Sequence, residues 1–321
     1  MIEAAVNAVD LDSVEAILRE ELARGDAVSQ TAVPILRHLL ASSSNSMFSD
    51  EIVARVRGLV TDLARQLLDT LAIAAGESER REHDPAETAA LIDAFLENPA
   101  LVRHLHATAL EWQMTHRLQS RIALDPVLSP LLQSLIASQD GATSALAMKL
   151  LASQARFCQS QRRMQIPLNE LPGDLLHGAL VSMRALAGVE PLADERAAAA
   201  EAQIRMQYSE AATRIGLIAR LVQSLGGHAV AALSIPQAGV ALFLTALSFG
   251  AGQDRDLSVL SSDESQLARF ALQLRAAGLK PNEIEEQFLV LHPEIALPEG
   301  FERLSADRAA AILSIANYSG G

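Results

Sequence analysis

At 321 residues the chain is longer than one compact domain usually runs, which leaves two domains or one elongated helical array. Half of its residues are apolar yet only 3% are aromatic, and the Ala and Leu that dominate favour close-packed helices over a sheet. A formal net charge of −13 repels phosphate backbones and argues against nucleic acid, while the single cysteine, Cys158, excludes an internal disulfide framework and a cysteine-based zinc cluster.

The N-terminal residues carry acids and no basic n-region, unlike a secretory signal, so the expected location is cytoplasmic. The first predicted helix spans about Asp12 to Arg24, with Gly25 as a left-handed stop. A second opens near Thr31, takes Pro34 in its first turn and ends in the serine-rich Ser42–Ser46. Ser49 or Asp50 then caps a long helix reaching Gly76. In it Ile52, Val56, Leu59, Leu63, Leu67 and Leu71 recur at three- and four-residue steps and form one buried stripe. Glu77 to His83 is a charged connector.

Three Asx-Pro pairs follow: Asp84-Pro85, Asn98-Pro99 and Asp125-Pro126. In each, the side chain can accept an orphan N–H at the N-cap, and proline suits the first helical position because its missing donor had no partner there. They predict a short helix, a longer one carrying Trp112, and another short one that Ser129-Pro130 resets by a turn. Asp140-Gly141 breaks the next join, and a helix runs to about Met164. It carries Cys158, read as a small buried hydrophobe, and Arg156, Arg162 and Arg163, read as a solvated face.

Ile166 to Pro172, bracketed by two prolines, is the predicted linker between an N-terminal helical lobe, 1–165, and a C-terminal helical lobe, 166–321. Beyond it comes a helix from Pro172 to Ala187, closed by Gly188, then one long helix from Asp194 to Leu225. There Ile204, Tyr208, Ala211, Ile215, Ile218, Val222 and Leu225 read as a heptad seam for an intramolecular helix pair. Leu221 to Gln253 contains no Asp, Glu, Lys or Arg and is long enough to span a bilayer. Gly226-Gly227-His228 and Ser234 to Gln237 interrupt it, so Ala238 to Phe249 is expected to be a buried core helix and no membrane partner is expected. Ser261 with Glu264 reads as a capping box for a helix to Ala277, and Pro281 to His292 as another. Phe301 and Leu304 pin the next loop before a last helix from Ser305 to about Asn317.

Short joins set successive helices antiparallel, so the expected fold is an all-α, multi-helical array of antiparallel helix pairs, in two lobes or as a short superhelical solenoid. Pairs of roughly 35 to 45 residues suit HEAT-like stacking, although no residue pattern recurs at a fixed period. From Tyr208 to His292, the runs Leu242-Phe243-Leu244-Thr245-Ala246-Leu247 and Leu274-Arg275-Ala276-Ala277-Gly278-Leu279 resemble an alphaproteobacterial-type family of all-helical bacterial proteins. The resemblance implies helices and carries no activity with it.

Chemistry is sparse. His104, His106, Glu111 and His116 share the Trp112 helix, but no histidine pair has the i, i+4 spacing of a helical zinc motif. All four read as surface or structural residues, so no catalytic, cofactor or metal site is expected. Asp254 to Ser258 lacks the glycine and the bidentate glutamate of a calcium loop, since Val259 and Ser265 hold those positions. The leading expectation is a non-enzymatic scaffold or adaptor that docks another protein through a basic or amphipathic helix. Its candidate face is Glu283, Glu285, Glu286 and Phe288, with Phe270 as a second anchor unless both rings pack inward. Two alternatives are an apolar-ligand sensor with a pocket around Phe243, Leu247 and Phe249, and a phosphotransfer or metal-dependent enzyme using the His104 helix.

Overall fold

The computed structural model describes the backbone of residues 2–41, 50–76, 83–188 and 191–318; the serine-rich Ser42–Ser46 and all of the charged connector but His83 lie outside them. Among the described residues the chain is all-α, with no strand. The helices begin with α1 (Ile2–Ala41), α2 (Asp50–Ala74), α3 (Pro85–Leu96), α4 (Pro99–Ile122), α5 (Pro130–Ile136), α6 (Gly141–Arg162) and α7 (Gly173–Ala187). They continue with α8 (Pro191–Gln207), α9 (Arg214–Ser224), α10 (Ile235–Ala251), α11 (Arg255–Leu260), α12 (Leu267–Ala276), α13 (Pro281–Leu291) and α14 (Ala306–Tyr318).

Two compact units form, and neither is a continuous stretch of chain. Unit 1 comprises residues 1–34, 113–148 and 218–321; unit 2 comprises residues 35–112 and 149–217. The sequence-based boundary at 165/166 falls inside unit 2, and α1, α4, α6 and α9 contribute residues to both units.

In unit 2 the α2 stripe is buried as its spacing requires, from Ile52 through Val56, Leu59 and Leu63 to Leu67. Two of the three Asx-Pro caps form: Asp84 accepts the Ala86 N–H at 2.9 Å, and Asn98 accepts those of Ala100 and Leu101 at 3.1 and 3.2 Å. Asp125, in unit 1, takes the Val127 and Leu128 N–H groups but starts no helix. Ser129 caps α5 instead, accepting from Leu132 at 3.3 Å. An Asx turn satisfies the same acceptor without helix, so the motif alone does not separate the two outcomes.

The predicted linker is a docked segment of unit 2. Ile166, Leu168 and Leu171 are buried, and Asp62 and Gln66 of α2 hold the backbone. Asp62 accepts the Ile166 N–H at 3.0 Å, while Gln66 donates to the Ile166 carbonyl at 2.8 Å and accepts from the Leu168 N–H at 3.0 Å. Burial pushes the Asp62 carboxyl above its usual pKa, against the pull of the Ile166 and Gln66 hydrogen bonds. The prolines shape a segment whose backbone is held at Ile166 and Leu168 by α2, which is the opposite of a linker.

The long helix predicted from Asp194 to Leu225 is broken. After α8, residues 210–212 form a 3-10 turn, Thr213 is extended, and α9 restarts at Arg214. The Tyr208 hydroxyl donates to the Leu171 carbonyl at 3.0 Å and Ala211 is exposed, so no heptad seam exists. Gly216 secures the joint: a Cβ there would overlap the Glu210 carbonyl oxygen, while its N–H donates to the Thr213 hydroxyl at 2.9 Å. Gly216→Ala is therefore expected to cost about 1–3 kcal/mol through overpacking. Urea unfolding followed by the fluorescence of Trp112, the only tryptophan, measures it; a neutral substitution would mean the joint relaxes freely.

Unit 1 is built on α10, in which residues 242–248 are all buried. Phe243 meets Phe270 of α12 edge-on at 6.2 Å, and Phe270 lies 5.4 Å from Phe288 of α13. Among the described residues no single helix is long and apolar enough to cross a membrane; the pair Arg214–Ser224 and Gly226–Leu233 is bent by 118°. Phe301 and Leu304 are buried as expected.

Other local expectations fail in unit 1: α1 runs on through Thr31, so no second helix opens there. Gly25 does not end a helix: α1 runs through it, and its missing Cβ lets the Gln266 side chain donate to the Gly25 carbonyl. Close approach, rather than positive φ, is what the glycine provides. Nor does Ser261 form a capping box with Glu264. The Ser261 hydroxyl serves the Ser258 carbonyl and the Gln273 side chain inside the core, and Asp263 takes over the capping by accepting the Ser265 N–H at 3.0 Å.

Candidate functional site

Helical spacing places His104, Thr108 and Glu111 on one face of α4, and that face is buried, with Glu111 only 1% exposed. Of the two expectations for Glu111, surface or structural, the structure places it on the structural side. Arg214, the first residue of α9, meets it in a two-pronged ion pair, Nη1 to Oε1 at 2.7 Å and Nη2 to Oε2 at 3.0 Å. The guanidinium also donates to Gln154 Oε1 at 3.3 Å and lies 3.6 Å over the Phe157 ring. Its backbone N–H donates to the Glu170 carboxylate at 2.6 Å. Burial is the largest single influence and works against the arginine's charge, but the charge and hydrogen bond of Glu111 together with the Glu170 carboxylate hold the pKa above the ordinary value.

This pair stands beside a cavity of about 430 Å³ within unit 2. His104 and Thr108, the end of α6, residues 163–170 and the joint at 207–215 line it. Its size falls in the range of small-ligand sites, but the wall is unusually polar, with Gln161, Gln165, Asn169 and Ser209 among its residues. Arg156 and Arg163 also line it; both are exposed, and neither guanidinium has a side-chain partner among the described residues. Arg162, the third member of the basic cluster, is exposed and does not line the cavity.

Compared with family models, curated proteins and solved structures, the chain matches none. Geometry alone therefore carries the functional reading.

The other sequence-derived candidates separate. His106 is half-buried and His116 exposed, and neither lines the cavity. On α13, Phe288 is 3% exposed and Phe270 fully buried, so the rings pack inward and are closed to a partner. The physical reason is their place against Phe243 in the core of unit 1. Glu283 accepts the Lys280 N–H at 2.7 Å, which caps its own helix, leaving Glu285 and Glu286 as exposed charge without an aromatic anchor. Phe243 and Leu247, proposed to line an apolar pocket, are fully buried, whereas Phe249 is exposed. Cys158 is buried, as expected.

Arg214 escaped sequence reasoning because it sat inside an apparently continuous helix. The available signal was Thr213, a capping residue directly before an arginine that opens an apolar run.

Proposed function

We propose that this chain is a non-enzymatic helical binding protein whose unit 2 cavity takes a small, polar, anionic ligand. The observation that carries the reading is the pair of exposed arginines at the cavity, Arg156 and Arg163, without carboxylate partners in a chain of net charge −13. Arg214 is already neutralised by Glu111, so these two are the cations left to meet a ligand, against Glu170. Guanidinium groups bind carboxylate and phosphate through short, charge-assisted hydrogen bonds, and the surrounding amides and hydroxyls suit a hydroxylated body. Both nearby carboxylates serve as acceptors, Glu111 for the guanidinium and Glu170 for a backbone N–H, which favours holding a ligand over proton transfer.

Calorimetric titration with inorganic phosphate and with small di- and tricarboxylates tests this. At least one of these anions is expected to bind, more weakly as salt is raised, and Arg156→Ala with Arg163→Ala should lower affinity by about tenfold or more per arginine. Equal binding by the double variant, or chemical conversion of the bound anion, would overturn the reading.

A further inference from the structure

Unit 1 holds a second constellation, apart from the anion cavity. His292 caps the C-terminal end of α13, and Glu294 follows two residues later in the turn. Glu264 comes from the 3-10 turn that precedes α12. A ring nitrogen of His292 and one carboxylate oxygen from each glutamate all lie within 4.8 Å of one another.

The histidine distinguishes this group from an ordinary acidic surface cluster. It is 2% exposed, its ring packed near Phe270 and Phe288 at 6.5 and 6.3 Å between centroids. Nε2 lies 3.0 Å from the Ser262 carbonyl oxygen, and a carbonyl can only accept, so Nε2 carries the proton. Nδ1 is then left with its lone pair, buried and without a hydrogen-bond partner. An orphaned buried nitrogen costs stability unless something is bound to it. A histidine that donates its other N–H to a backbone carbonyl is also the usual arrangement of a metal ligand, because the carbonyl holds both tautomer and ring orientation.

We propose that Glu264, His292 and Glu294 form a site for one divalent transition-metal ion of the zinc class, bound through His292 Nδ1 and one oxygen from each carboxylate. Imidazole nitrogen with carboxylate oxygen suits zinc better than magnesium or calcium, which take all-oxygen shells. Ligand atoms of a tetrahedral zinc ion stand about 3.4 Å apart, so the carboxylates must close inward from their present positions. Both glutamates are exposed and can swing, while the buried histidine supplies the rigid point of the site. Three protein ligands leave a fourth position for water or an exogenous ligand, and two carboxylates balance the charge of the ion.

The test titrates the full, metal-stripped chain with Zn²⁺ against a chromogenic chelator, and separately with Co²⁺ read by its visible absorption. One ion per chain is expected. Glu264→Ala with Glu294→Ala, both at exposed positions, should lower zinc affinity by at least the roughly 10–100-fold lost when residues that merely hydrogen-bond to a metal's ligands are changed. His292→Gln should abolish the cobalt band, whereas His116→Ala, at an exposed histidine elsewhere on the chain, should change nothing. Zinc binding that is unaffected by the double glutamate variant, or absent at micromolar concentrations, would overturn the proposal. Circular dichroism of each variant separates loss of the ion from loss of the fold.

Discussion

Glu111→Ala is expected to destabilise unit 2 by about 3–5 kcal/mol, because it leaves the Arg214 guanidinium charged, 4% exposed and stripped of the carboxylate it pairs with, while Glu170 is held on the backbone N–H. The remaining contacts, Gln154 and the Phe157 ring, carry no negative charge and cannot replace the carboxylate. Trp112, next in sequence to Glu111 and 5% exposed, reports the loss directly through its fluorescence in a urea titration. Breaking one partner and removing both have different consequences. Glu111→Leu with Arg214→Met takes away both charges and should recover much of the lost stability, since well-packed apolar replacements of buried pairs are often neutral. A single-variant loss below about 1 kcal/mol, the value of a surface pair, would show that the interaction is solvated.

The second large effect lies in unit 1. Leu244, in the middle of α10, is fully buried, and Leu244→Asp places a carboxylate inside the core of unit 1. The loss should be about 4 kcal/mol or more, placing it among the exceptional single substitutions. For a unit of this size each kcal/mol corresponds to roughly 2–4 °C, so the melting temperature should fall by about 10 °C or more. Leu244→Met, which conserves volume, should cost less than about 1.5 kcal/mol and serves as the control. Equal melting of Leu244→Asp and the parent chain would remove α10 from the core.

Different kinds of signal fared differently in the sequence. The α2 stripe and the caps at Asp84 and Asn98 were legible because each depends on residues within a turn or two of one another. Helical periodicity and an N-cap are satisfied locally, whatever the rest of the chain does. Where the same residues had two local solutions, sequence reasoning chose wrongly. Asp125 makes an Asx turn, Gly25 sits inside a helix, and Ser261 bonds inward to Gln273. Each outcome was decided by a partner distant in sequence or by the next competing cap.

The candidate sites show this most clearly. Half of the ion pair, Glu111, was visible as an acid on a histidine-bearing helix, but its meaning depended on Arg214, 103 residues away. His292 was read only as the end of a helix, and Glu264 only as half of a capping box. Neither suggested a ligand until the chain brought both beside Glu294.

The amino-acid sequence by itself determined that this protein is all-α, where most of its helices begin, and that the expected core helix is buried through Ser248, though not at Phe249, because helix propensity, capping and amphipathic spacing act over a few residues. Only the tertiary structure decided the division into two discontinuous units, the docking of Ile166 to Pro172 on α2, and the burial of Glu111 and Phe288. Whether a polar or aromatic side chain is buried depends on the partner that satisfies it, and in this chain those partners come from segments that no local pattern connects.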